Sequence, residues 1–109
     1  MMQEDPKSLR SRVKSMMPEI ITDLKTLVSY RSVAFPGYPP APVHAMAQAT
    51  ADLLERYGLS GARLIDIPGG YPAVYGEIPA PPGRPTVLMY AHYDVQPARE
   101  EDGWIPIPG

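Results

Sequence analysis

The sequence predicts an α/β fold with two helices followed by three strands and a sheet left incomplete. Three observations predict it. Apolar residues recur at helical spacing over residues 19–30 and again over 43–57. Short runs rich in β-branched and aromatic residues, bounded by Gly and Pro, fill the second half of the chain. The last of these runs, residues 86–91, is apolar without alternation, the pattern of a central strand covered on both faces.

Residues 7–17 are basic and suit a helix. Pro18 has no amide hydrogen and clashes within a helix, so either a new helix starts there or one helix kinks. Ile20, Ile21, Leu24, Leu27 and Val28 then form one stripe, expected to be buried. Residues 35–42 carry Pro36, Pro39, Pro40 and Pro42 with Gly37 between them, which predicts an extended loop between helices. A docking segment for a proline-reading domain is the alternative, on a motif of low specificity.

In the second helix, residues 43–57, the positions Val43, Met46, Ala47, Thr50, Leu54 and Tyr57 share a face, and Gly58 provides the stop. His44, near its start, reads as a solvent-facing first-turn residue rather than a metal ligand. Residues 62–67 and 73–78 read as strands around Pro68-Gly69-Gly70, which predicts a hairpin. A loop over 79–85 leads into the apolar run at 86–91, and residues 95–109 are loop-like.

Composition narrows the function. The 109 residues suffice for one small domain, and 44% hydrophobic with 20% charged residues argues against wholesale disorder. A formal net charge of −2 and a pI of about 5.6 favour neither a nucleic-acid partner nor an anionic membrane. No run is long enough for an apolar membrane span, and the polar start has no signal-peptide core, so a cytoplasmic location is expected. There is no cysteine, so a metal would need His and carboxylate ligands.

One constellation carries chemistry. The apolar run leads directly into His92-Tyr93-Asp94. Strand alternation puts His92 and Asp94 on one side, at the C-terminal end of a buried strand, where ligand crevices form in open α/β sheets. A neutral imidazole nitrogen binds zinc at about 2.0–2.1 Å. A carboxylate accepting the other ring N–H orients the ring and raises its basicity. A histidine at a strand end beside a solvated Asp meets the same pattern, so the surroundings must decide.

Those surroundings are Pro85-Thr86-Val87-Leu88-Met89-Tyr90-Ala91-His92-Tyr93-Asp94-Val95-Gln96-Pro97, followed by Asp102-Gly103-Trp104. The stretch resembles the first metal-site motif of the zinc-dependent amide hydrolases that include aminoacylases, carnosinases, desuccinylases and carboxypeptidase G-like enzymes. Its closest likeness is to the dipeptidase branch. Two earlier segments agree in order. Residues 23–33, ending in Ser29-Tyr30-Arg31-Ser32-Val33, look like the family's opening helix and its exit, and Leu53-Leu54-Glu55-Arg56-Tyr57-Gly58-Leu59 looks like the end of its second helix. The resemblance covers roughly residues 19–104.

The resemblance implies that residues 1–109 are the N-terminal portion of a zinc-peptidase-like catalytic domain. It implies hydrolysis of a dipeptide first, or of an acylated amino acid or succinylated amine, at two zinc ions or other divalent metals. By residue it implies His92 as a metal ligand and Asp94, which steers that histidine, as a catalytic residue. The remaining ligands, the general-base Glu and the domain used for dimerisation and closure would lie beyond Gly109. After Trp104 the chain departs from the family's Pro-Phe, reading Ile105-Pro106-Ile107-Pro108-Gly109. The expectation is therefore a truncated segment, marginally stable, prone to self-association and inactive alone. The alternative is a fragment serving as a structural or binding module.

Overall fold

Asp5 and Pro6 set the first helix. The Asp5 carboxylate accepts the Lys7 amide at 2.6 Å, and Pro6 occupies the first turn, where a missing N–H costs nothing. In the computed structural model, which describes residues 5–105, helix α1 (Pro6–Val28) runs unbroken through Pro18. The two alternatives at Pro18 thus resolve to one helix, in which the Lys14 carbonyl lacks its usual donor. The Ser29 hydroxyl closes the far end by donating to the Thr26 carbonyl at 2.5 Å.

The stripe expected to be buried on α1 is not. No described residue of α1 is buried, and Leu24 and Val28 are 57% and 53% exposed. The spacing made the helix amphipathic, but burial needs a surface opposite, and among the described elements α1 packs against α2 alone.

Helix α2 (Ala41–Arg56) starts earlier than residue 43 because Pro42 fits a first turn. It buries Val43, Met46, Ala47 and Ala51, close to the expected face, while Tyr57 stays exposed. The helix stops at Gly58, whose φ of +91° lies in the left-handed region. The Gly58 amide donates to the Glu55 carbonyl at 2.9 Å and the Leu59 amide to the Leu54 carbonyl at 3.0 Å, the paired bonds of a Schellman ending.

Strands β1 (Ser60–Ile65) and β2 (Ala73–Glu77) pair antiparallel, as the expected hairpin requires. The register shifts by one residue between Ser60 and Arg63, which makes a bulge. Helix α2 lies on this pair, and Gly76 of β2 faces Leu54 of α2 and Leu59 just past its end. A Cβ there would stand 3.2 Å from Leu59 and 3.3 Å from Leu54.

The third strand is corrected. Residues 86–91 are not in a sheet, and Val87, Leu88, Met89 and Tyr90 are 78–91% exposed. The sheet of the described residues has two strands. An extended run becomes a strand only when a neighbour supplies ladder hydrogen bonds, and neither β1 nor β2 does so. The radius of gyration of 17.2 Å exceeds the roughly 13 Å of a compact 100-residue domain, as expected with α1 packed on α2 alone and residues 87–90 exposed. The loop expected over 95–109 contains one 3-10 turn, Glu100–Asp102, and its last residues, 106–109, lie outside the described residues, as do 1–4.

Candidate metal-binding pair

Residues 93–95 are tied to distant segments by two hydrogen bonds from side-chain hydroxyls and one between backbones. Ser32, fully buried just past the exit of α1, donates its hydroxyl to the Tyr93 carbonyl at 3.3 Å. Its own carbonyl accepts the Val95 amide at 3.0 Å. The Tyr93 hydroxyl donates to the carbonyl of Pro72, a buried residue at the entrance to β2, at 2.6 Å. Burial, then the neighbouring Asp94 carboxylate, then Tyr71, push the Tyr93 phenol above its ordinary range.

Within this frame His92 Nδ1 stands 3.0 Å from Asp94 Oδ1 and 3.0 Å from the Asp94 carbonyl oxygen. A carboxylate and a carbonyl only accept, so Nδ1 carries the hydrogen, and in the neutral imidazole the lone pair is then on Nε2. The His92 side chain is 74% exposed, so that lone pair is accessible. The expected juxtaposition of His92 and Asp94 is therefore present, although the expected strand beneath it is absent. A single imidazole oriented by a carboxylate fits one ligand position of a zinc site, not a whole one.

The other histidine does not complete it. His44 packs edge-on against Tyr71, with ring centroids 5.5 Å apart. Among the described residues no group of three or more His, Asp or Glu side chains could hold a metal ion. Trp104, which follows the motif, is 59% exposed. Sequence reasoning missed Ser32, Tyr93 and Pro72 as the frame of the pair. Ser32 lay in a segment already singled out, but nothing in its spacing tied it to residues 93–95.

A second polar cluster was also unforeseen. Asp23 of α1 accepts from Arg56 and, at 2.5 Å, from the Tyr57 hydroxyl. The Tyr57 bond first, then Arg56, hold the Asp23 carboxyl below its ordinary range. Asp23 in turn raises the Arg56 guanidinium and the Tyr57 phenol.

The class of protein to which the chain is similar is the metallodipeptidases. It is 31% identical over 100 residues to a Beta-Ala-His dipeptidase of Mus musculus, covering 78% of this chain and 20% of that protein. It is 29% identical over 106 residues to a Cys-Gly metallodipeptidase DUG1 of Candida albicans, covering 84% of this chain and 21% of that protein. The Cys-Gly metallodipeptidase DUG1 of Saccharomyces cerevisiae is 26% identical over 108 residues, 89% of this chain and 22% of its own length. The chain thus spans about a fifth of the length of these relatives. No protein-family model matches it. No solved structure matches it. Among the described residues no helix is long and apolar enough to cross a membrane.

Proposed function

We propose that residues 1–109 form the N-terminal portion of a metal-dependent hydrolase of dipeptides, to which His92 supplies one metal ligand and Asp94 the group that orients it. The observation that carries this reading is the Nδ1 contact to Asp94, which leaves Nε2 free and directed by a carboxylate. The relatives, named Cys-Gly metallodipeptidase and Beta-Ala-His dipeptidase, support a dipeptide as the substrate.

Zinc, as two ions in the complete enzyme, is the metal proposed, and other divalent ions suit the same donors. When bound, it supplies Lewis-acid polarisation of the scissile carbonyl. This chain's part is to present Nε2 of the His92 imidazole and, through Asp94, to fix its direction. The remaining ligands, the proton-accepting Glu and the closing domain belong to chain beyond these residues.

A second reading, an inactive structural or binding segment, is favoured by the lack of any three-ligand cluster among the described residues. One experiment separates them. Residues 1–109 replace the corresponding segment of the mouse dipeptidase, and dipeptide hydrolysis is measured. The metal reading expects turnover that His92→Ala abolishes, that Asp94→Asn lowers about 10–100-fold through weakened metal binding, and that His44→Ala leaves intact. A folded, active chimera indifferent to His92→Ala sinks the metal reading.

A further inference from the structure

We infer that Ser32 and Tyr93 are positioning residues that set the tautomer of His92, an inference that rests on the metal reading above. Residues 86–91 lie exposed and outside the sheet, so the His92–Asp94 pair cannot take its position from a strand ladder. Its position comes instead from two anchors on either side of Asp94. Ser32 uses both its hydroxyl and its carbonyl on the backbone of residues 93 and 95, at 3.3 and 3.0 Å. Tyr93 reaches in the other direction, to the Pro72 carbonyl at 2.6 Å. The exit of α1 and the entrance to β2 thereby hold residues 93–95 between them.

The two acceptors facing His92 Nδ1 belong to one residue, Asp94, one on its side chain and one on its backbone. Both depend on the same local backbone conformation. Rotation at residue 93 or 94 moves the two acceptors away together, and Nδ1 then has no reason to keep the hydrogen. Ser32 is buried, so its hydroxyl has no water to turn to if the contact opens, which favours the closed arrangement. Ser32 and Tyr93 thus act on the ligand nitrogen through Asp94, without touching it.

The test uses the whole chain labelled with 15N-histidine, without metal, at a pH where both imidazoles are neutral. Long-range 15N–1H spectra distinguish Nδ1–H from Nε2–H directly. His92 is expected as the Nδ1–H form. Ser32→Ala and Tyr93→Phe are expected to lose that signature at His92 while the His44 spectrum stays unchanged, and Ser32→Thr is expected to retain it. If Ser32→Ala does not fold, Tyr93→Phe decides by the same criterion, since it removes one hydroxyl from a half-buried ring. Folded variants, by circular dichroism, that keep the His92 Nδ1–H form overturn the inference, as does a wild-type His92 in the Nε2–H form. No metal is present, so this outcome is independent of the chimera experiment, and either proposal can fail alone.

Discussion

Tyr57 donates its phenolic hydrogen to Asp23 at 2.5 Å across 34 positions of sequence, and Arg56 grips the other oxygen of the same carboxylate. With no described residue of α1 buried, this polar contact is a main tie between α1 and α2.

The tie is expected to be pH-dependent. The folded Asp23 carboxyl lies below its unfolded value of 3.8, so its contribution is fully present above that value. It is lost as pH falls through the depressed folded value, when the carboxyl gains a proton. Asp23→Asn is expected to remove this dependence. Distance measurements between labels on α1 and α2, from pH 6 downward, check it: wild type should separate in acid, whereas the variant should be separated at every pH. A variant that keeps the wild-type distance at every pH would count against the tie.

Gly76→Ala is expected to destabilise the α2–hairpin packing. The new methyl would meet Leu59 at 3.2 Å and Leu54 at 3.3 Å, both closer than ordinary contact. Overpacking of this kind costs about 1–3 kcal/mol. Urea unfolding followed by circular dichroism measures it, and Gly76→Val should be worse.

Gly58→Ala is expected to cost about 1–2 kcal/mol, because a side chain is strained in the left-handed region. The φ of +91° is required for the two closing hydrogen bonds of α2. Nothing lies within 4 Å of a Cβ placed there, so the penalty is backbone strain and not a clash. Gly58→Asn should recover part of the loss, since Asn tolerates this conformation best among the other residues. Thermal melts of the three proteins rank them.

Self-association is expected through residues 87–90. Val87, Leu88, Met89 and Tyr90 are 78–91% exposed, and an exposed apolar run without a ladder partner is a template for pairing with another chain. Leu88→Lys combined with Tyr90→Lys should shift the chain toward monomer in sedimentation velocity. A wild type that stays monomeric at high concentration would remove the basis for this prediction.

The elements governed by local chemistry were legible from residue order. Helical spacing located α1 and α2, Gly58 marked the end of α2, and the turn at Pro68-Gly69-Gly70 placed β1 beside β2. Each depends on residues within a few positions of one another. The nearness of His92 and Asp94 was legible for the same reason, since two residues apart in an extended segment share a side. What was not legible depended on distant partners. The apolar stripe of α1 and the run at 86–91 carry patterns of buried elements, yet both are exposed, because a pattern states which face prefers burial and not whether a surface arrives to cover it. The anchoring of residues 93–95 by Ser32 and Pro72 and the tie from Asp23 to Tyr57 were equally out of reach, since contacts spanning 61, 21 and 34 positions exist only once the chain has folded back on itself.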